Sequence, residues 1–403
     1  MSFSDLGLSP EILAAVEALG YTDPTPIQRD AIPHILEGRD VLGTAQTGTG
    51  KTAAFTLPMM QIMGTGDGRP VALVISPTRE LAQQIERVAS AVGKHTGQRT
   101  ALVVGGVSYG PQLAPIKAGV DMLVATPGRL IDLVERKDVD LRAVKFLVID
   151  EADRLLDMGF WPSVRRVLSF LPKERQNLLF SATMSDGVLS VVRSTLTDPI
   201  SVEVARRGDT AEGIEQAIMP VEHSQKPDLL AALIKARGAD RVLVFTKTKA
   251  RADLVKTILE RMEFRVAVMH ADRNQSQREK ALEKFRSGDI DVLVATDIIA
   301  RGIDISDIDH VVNYDVPENP EDYVHRIGRT GRAGASGYAL TLVGPDELTQ
   351  LREIEYMIKQ VLPVHDLEGF PYRDGRIVPS PTRTAKKATR AAFAGRRGGR
   401  RLR

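Results

Sequence analysis

The segment Ala45-Gln46-Thr47-Gly48-Thr49-Gly50-Lys51-Thr52 sets two glycines, a lysine and a hydroxyl between a short apolar run, Asp40–Gly43, and a helical pattern, Thr52–Ile62. That is the spacing of a phosphate-binding loop with Ala45 at its first glycine position. Gly48 and Gly50 permit a tight turn whose backbone N–H groups point at phosphate oxygens, and the helix N-terminus adds positive potential. Lys51 is expected to reach the β- and γ-phosphates, and the Thr52 hydroxyl to ligate Mg²⁺. A second constellation closes the run Phe146–Ile149: Asp150-Glu151-Ala152-Asp153. Alone it reads as a charged helix start. Beside a phosphate-binding loop it supplies the metal-binding carboxylate that phosphoryl transfer needs, with Asp150 holding Mg²⁺ through water and Glu151 orienting or deprotonating the attacking water. A third, His325-Arg326-Ile327-Gly328-Arg329-Thr330-Gly331-Arg332, gathers cations beside glycines in a half with no phosphate-binding loop of its own. Its arginines suit charge developing on a transferred phosphoryl group, the role of an arginine finger.

The elements that must position these residues alternate along the chain. Apolar runs at Val71–Ser76, Thr100–Val104, Met122–Ala125, Phe146–Ile149 and Leu178–Phe180 lack strict alternation, as parallel strands buried on both faces do. Helical patterns such as Arg79–Val92 and Pro162–Phe170 lie between them. The rhythm restarts at Val242–Phe245, Arg265–Met269, Asp291–Ala295, His310–Tyr314 and Tyr338–Val343, and a helical stretch near Asp346–Leu362 ends it. This predicts an α/β chain with a first domain over 1–204, a polar linker over 205–213, a second domain over 214–365 and a basic low-complexity tail over 366–403. The tail cannot bury enough apolar surface to offset its ordering entropy, and disorder is expected there, above all from Gly375 onward.

Composition excludes several classes. With no Cys among 403 residues there is no disulfide framework, thiolate metal site or Cys nucleophile. The seven His show no ligand spacing such as His-Glu-x-x-His, which argues against a metal hydrolase. No apolar run approaches membrane-span length and the N-terminus lacks a signal-peptide pattern, so a cytoplasmic location is expected. The net charge of +2 hides a split: 376–403 carries 10 basic and no acidic residues, which leaves the rest at −8. An acidic body with a basic tail points to a polyanionic partner.

These motifs, with others in order, resemble the DEAD-box ATP-dependent RNA helicases of superfamily 2, most closely the bacterial RhlE-like group. Gly20-Tyr21-Thr22-Asp23-Pro24-Thr25-Pro26-Ile27-Gln28, with Phe3 upstream, resembles the Q motif. The resemblance implies that Gln28 reads adenine and that Tyr21 gives an aromatic contact. Pro77-Thr78-Arg79, Gly105-Gly106 and Thr126-Pro127-Gly128-Arg129 resemble the Ia, GG and Ib motifs, which bind the backbone of one RNA strand. Ser181-Ala182-Thr183 resembles motif III, whose hydroxyls would link the Asp150–Asp153 region to the second domain's arginines. Gln275 and Arg278, with Thr296 and Asp297 of a motif V, are implied RNA contacts, and Gly302 and Asp304 are implied ribose contacts. Arg329 and Arg332 are implied at the γ-phosphate, and Asp153, Ser181, Thr183, His325 and Arg326 in coupling. Two positions depart from the family: Ala271 replaces Gly in His270-Ala271-Asp272, and Asn274 replaces Pro before Gln275. A methyl at 271 would strain a turn that needed a positive φ.

The resemblance implies two tandem RecA-like parallel-sheet domains that ATP, Mg²⁺ and RNA together close. It implies an RNA-stimulated ATPase that clamps RNA and locally separates short duplexes or remodels ribonucleoprotein. Single-stranded RNA and short duplexes are the expected partners, with little sequence preference. Ribosome-assembly or RNA-decay complexes are the settings, with no membrane and a monomeric chain. Two other readings stand beside it: an ATP-gated RNA clamp or scaffold with little unwinding, and a superfamily 2 DNA helicase. The tail is expected to tether RNA near the core.

Overall fold

The computed structural model describes residues 1–45, 48–204, 214–238, 241–297, 308–331, 337–373, 376–380 and 382–385, which fall into two compact units. A seven-stranded sheet contains β1 (Val41–Thr44), β2 (Ala72–Ile75), β3 (Thr100–Val103), β4 (Met122–Ala125), β5 (Phe146–Ile149), β6 (Gln176–Ser181) and β7 (Ile200–Glu203). Its order is β3-β4-β2-β5-β6-β1-β7, and every neighbouring pair is parallel. Successive strand side chains point to opposite faces. Val74, Val124, Val148 and Leu178 enter one core with Ile32, Phe55, Leu57 and Ile85 from the helices Pro26–Leu36, Lys51–Met63 and Arg79–Thr96. Leu73, Leu123, Leu147 and Leu179 enter the other with Leu130, Leu133, Val164 and Val167. Both faces are covered, which is why these strands read as unbroken apolar runs.

The second sheet has β8 (Ile214–Pro220), β9 (Val242–Thr246), β10 (Val266–Met269), β11 (Val292–Thr296), β12 (His310–Asn313) and β13 (Gly337–Val343), ordered β10-β11-β9-β12-β13-β8. That order repeats β3-β4-β2-β5-β6-β1. β9, β12, β13 and β8 pair in parallel.

Two strands are absent from the sequence reading. Both lie at sheet edges: β7 alternates apolar and polar residues, and in β8 the pair Glu215-Gln216 and Pro220 bracket an apolar stretch of only three residues, Ala217–Met219. The last helix also ends at Ile358 rather than Leu362, because Lys359 takes a left-handed conformation at its C-cap. The expected linker, 205–213, lies outside the described residues.

Ordered contacts continue past 365. Gln225 Nε2 donates to the Pro371 carbonyl (2.8 Å), and Arg376 pairs with Asp366 (2.7 Å). Arg383 pairs with the buried Glu355 (2.7 Å). Two of the arginines counted in the basic tail are therefore spent on carboxylates of the folded chain. Residues 386–403, which carry most of the expected disordered stretch, lie outside the described residues. Among the described residues, no helix is long and apolar enough to cross a membrane.

Candidate active site

Parallel pairing sends every strand of the first sheet out at one edge, and ligands bind at the carboxyl ends of such strands. Apart from the Q motif, which precedes β1, the motifs of the first domain lie on segments leaving that edge: Ala45 and 48–50 after β1, 76–78 after β2, 104–106 after β3, Thr126 after β4, Asp150 after β5 and 182–183 after β6. The strand order sorts them. β3, β4 and β2 carry the loops read as RNA contacts, and β5, β6 and β1 carry those read as nucleotide or coupling contacts.

In the phosphate-binding loop, Gly48 and Gly50 adopt φ of 89° and 90°, left-handed values that cost a Cβ-bearing residue about 1–2 kcal/mol. Lys51 opens the helix Lys51–Met63, is buried, and donates from Nζ to the Ala45 carbonyl (2.9 Å). Ala45 N donates to the Ser181 carbonyl (3.0 Å), which joins this loop to motif III. Thr49 lies between the two glycines, and Thr52 is half-buried in the first turn of the helix. Gln46 and Thr47 lie outside the described residues.

Gln28 is buried on the helix Pro26–Leu36 and its amide bonds within the domain. Oε1 accepts from Thr25 N (2.9 Å) and Nε2 donates to the Gly50 carbonyl (3.0 Å). The Q motif is thus hydrogen-bonded to the phosphate-binding loop. A primary amide has two N–H donors and two acceptor lone pairs, so one of each is left over from these two bonds. Tyr21 packs half-buried against the first core.

The carboxylates after β5 divide their work. Asp150 is buried, and burial pushes its carboxyl up to about 6, with Glu151 and Asp153 adding to the rise and Lys51 opposing it. Glu151 takes φ 51° and starts the helix Ala152–Asp157; its Oε2 accepts from Arg154 NH1 (2.5 Å). Asp153 Oδ2 accepts from Ala182 N (3.1 Å), Thr183 N (2.9 Å) and Thr183 Oγ1 (3.2 Å). The Ser181 hydroxyl instead donates to the Thr183 carbonyl (2.7 Å), shaping motif III from within. Arg154, fully buried among these acids, was not singled out from the sequence. The available signal was its place three residues after Glu151, one helical turn away.

On the other half of the edge, Thr78 caps the helix Arg79–Thr96 by accepting from Leu81 N (3.3 Å). The Arg79 guanidinium lies over Gly105 and Gly106; Gly106 has φ 74°, and a Cβ there would meet that guanidinium. Thr126 and Pro127 start the helix Pro127–Glu135, where Gly128 occupies the first turn. Arg129 NH1 donates to the Val107 carbonyl (2.9 Å). The Tyr109 ring lies 4.3 Å from both the Arg129 and the Arg136 guanidinium carbons, a stack the sequence did not reveal. The Ia, GG and Ib residues, Pro77 included, therefore share one stretch of the sheet edge.

In the second domain, Gln275 and Arg278 occupy the first turn of the helix Gln275–Arg286. Asn274 caps it, accepting from Gln277 N (2.9 Å), and so replaces the family's proline with a side-chain cap. Ala271 has no positive φ, so its methyl costs nothing there. Thr296 ends β11 and Asp297 follows it. His325 and Arg326 lie on the helix Pro320–Ile327. Arg326 is buried and donates to Asn313 Oδ1 (3.2 Å) and the Asp315 carbonyl (2.8 Å). Arg329 N donates to the Arg326 carbonyl (3.2 Å), which places it just past that helix. Gly302, Asp304 and Arg332 lie outside the described residues.

Known proteins match the chain across both domains. Residues 25–191 match the DEAD/DEAH box helicase family, and residues 225–334 match the helicase conserved C-terminal domain. The DEAD-box ATP-dependent RNA helicase CshA of Bacillus cereus is 42% identical over 359 residues, covering 89% of this chain and 68% of that protein. The ATP-dependent rRNA helicase RRP3 of Meyerozyma guilliermondii is 42% identical, covering 90% and 76%. Among solved structures, S. cerevisiae Dbp5 bound to RNA and ADP BeF3 is similar with a TM-score of 0.84 at 33% identity, covering 90% of this chain and 95% of that one. A phosphate-binding loop, an Asp-Glu-Ala-Asp turn bonded to motif III, and these matches across both domains identify the chain as a member of the DEAD-box ATP-dependent RNA helicases.

Proposed function

We propose that this chain hydrolyses ATP with Lys51, Thr52, Asp150 and Glu151 of the first domain, completed by Arg329 and Arg332 of the second. The observation that carries this is the set of three hydrogen bonds from Ala182 and Thr183 to Asp153. They lock the DEAD turn to motif III, beside the loop that holds Lys51. Glu151 takes the proton of the attacking water or orients it, Lys51 neutralises the β- and γ-phosphates, and the second domain's arginines meet the charge on the transferred group. Adenine is read by the part of the Gln28 amide left over from Thr25 and Gly50, with Tyr21 beside it. Gly302 and Asp304 take the ribose.

The donor set fits Mg²⁺. Asp150 is buried with its carboxyl raised to about 6, so its charged form lacks compensation that a cation would supply. Mg²⁺ is commonly held by one or two carboxylates together with substrate phosphates, and Asp150 with the Thr52 hydroxyl offers such a site. When bound, the ion would neutralise charge on the phosphates.

RNA lies along Pro77, Thr78, Arg79, Gly105, Gly106, Thr126, Pro127, Gly128 and Arg129, and along Gln275, Arg278, Thr296 and Asp297. Contacts to sugar and phosphate carry little sequence preference, and 2′-hydroxyls separate RNA from DNA. Nucleotide and RNA both favour closure, so each tightens the other's binding. His325 and Arg326, with Ser181 and Thr183, transmit hydrolysis to RNA release. We place the chain in the cytoplasm as a monomer of the RhlE-like group, working on ribosome-assembly or RNA-decay substrates, with the basic tail after Gly375 as an RNA tether.

RNA-stimulated ATP hydrolysis tests the reading. Single-stranded RNA should raise turnover far above duplex DNA; equal stimulation would remove RNA as the substrate. Glu151→Gln should lose about 10³-fold or more in turnover while ATP and RNA still bind. Unchanged hydrolysis would exclude Glu151 from this role.

A further inference from the structure

Four of the five residues from Asp150 to Arg154 are charged, and all four are at most 3% exposed. Asp150 follows β5, and the charge of Lys51 acts on it. Asp153 is tied to motif III by three donors. Glu151 is held by Arg154, whose NH1 donates to Oε2 at 2.5 Å.

The backbone creates this pairing. Glu151 turns through φ 51°, a left-handed value that a Cβ-bearing residue adopts only where its surroundings enforce it. That turn ends the strand extension and starts the helix Ala152–Asp157, so residue 154 comes one turn above residue 151. Arg154 cannot swing away. It is 1% exposed, its backbone N donates to Asp153 Oδ1 (3.0 Å), and its carbonyl accepts from Met158 N (2.9 Å). Its other terminal nitrogen, NH2, is buried with no hydrogen-bond acceptor among the described residues. A buried guanidinium with an unused donor is costly, and a buried ion pair is often no more stable than an apolar pair of the same volume. Packing alone therefore does not account for the arginine. A glutamate side chain has three rotatable bonds, and a general base must stand within hydrogen-bond reach of the proton it takes. A charge-assisted bond to a fixed guanidinium removes that freedom.

We propose that Arg154 is a positioning residue for ATP hydrolysis: it fixes the Glu151 carboxylate for the attacking water and affects the rate only through Glu151. This rests on the role proposed for Glu151.

The test is a double-mutant cycle on the full chain, with Arg154→Met and Arg154→Lys made in the wild-type and Glu151→Gln backgrounds. RNA-stimulated hydrolysis, affinity for a non-hydrolysable ATP analogue and thermal midpoint are measured for each. In the wild-type background Arg154→Met should lower kcat by about 10²-fold, the loss typical of a misplaced reacting group, with analogue affinity within about twofold. Arg154→Lys should recover part of that loss. In the Glu151→Gln background neither change should lower the residual single-turnover rate further. Equal fractional losses in both backgrounds, a fall in analogue affinity matching the fall in kcat, or an unchanged kcat would each overturn the proposal. If Arg154→Met does not fold, the same cycle is read with Arg154→Lys. Glu151→Gln alone separates the two readings: if it hydrolyses at the wild-type rate, Glu151's own role fails and this one with it. If it is inactive and the cycle is additive, only Arg154's role fails.

Discussion

The two domains share one strand order but put it to different uses, and two lysines show how. β8 holds in the second sheet the place that β1 holds in the first. Each is followed by a short loop and a helix whose first residue is a buried lysine, Lys51 in one and Lys226 in the other. After β1 the loop has two left-handed glycines, and among the described residues Lys51 Nζ donates only to a backbone carbonyl, that of Ala45. After β8 the loop Val221–Gln225 has no glycine, and Lys226 is enclosed by the domain's own oxygens. Nζ donates to the Tyr314 carbonyl (2.7 Å) and Glu347 Oε2 (2.7 Å), with Asp315 Oδ1 at 4.0 Å. Asp315 follows β12 much as Asp150 follows β5, and there it meets Arg251 (2.5 Å) and Lys247 N (2.8 Å). A phosphate is an acceptor-rich anion. In the second domain carboxylates of the chain already fill that role, which makes the lysine part of the core. In the first, on the proposed function, the lysine serves the bound phosphates.

The sharpest way to break this contrast is to remove each lysine. Lys51→Met should weaken ATP binding by about 10²-fold or more, as losing a charged contact to phosphate does, with the thermal midpoint moved by only a few degrees. Lys226→Met should do the reverse. It leaves Glu347 and Asp315 without their buried cation, so stability should fall by about 3–5 kcal/mol while ATP affinity stays within about twofold. Calorimetry and ATP titration on both variants would check this, and loss of ATP binding in Lys226→Met would erase the distinction.

The carboxylates extend the contrast to pH. The Asp150 carboxyl is raised from 3.8 to about 6 by burial, so its contribution to stability is fully present below about pH 4 and is lost as pH rises through about 6. Without nucleotide or metal, Asp150→Asn should be more stable than the wild type at pH 8 by on the order of 3 kcal/mol, and the gain should vanish near pH 4. Urea unfolding at the two pH values would measure it.

A smaller effect separates the RNA half of the first sheet's edge from its nucleotide half. Gly106→Ala puts a Cβ at φ 74° against the Arg79 guanidinium. RNA affinity should fall about tenfold, the equivalent of about 1.4 kcal/mol, with ATP affinity in the absence of RNA unchanged. Equal loss of both would mean that the two halves do not act separately.

Much of this was legible in the sequence because the active loops have fixed spacing at the ends of apolar strands. Ala45–Thr52 and Asp150–Asp153 needed no tertiary information. Arg154 did, since a lone arginine inside a helical pattern looks the same whether it meets solvent or Glu151. Gln28 was legible as a ligand candidate but not as the residue that bonds Gly50, 22 positions away. β7 and β8 were not legible: both lie at sheet edges, β7 alternates apolar and polar residues, and the apolar stretch of β8 is short and runs into Pro220. The charge of the tail was counted correctly, but a count does not show that Arg383 is paired with a buried acid at 355.

On the proposed function, the first domain holds the phosphates and the second supplies the cations that meet the charge developing in their hydrolysis. Single-turnover ATP hydrolysis by Arg329→Ala, with saturating RNA, tests it most directly. A loss of about 10³-fold or more at unchanged ATP affinity is the predicted result. A rate within about tenfold of the wild type would contradict it.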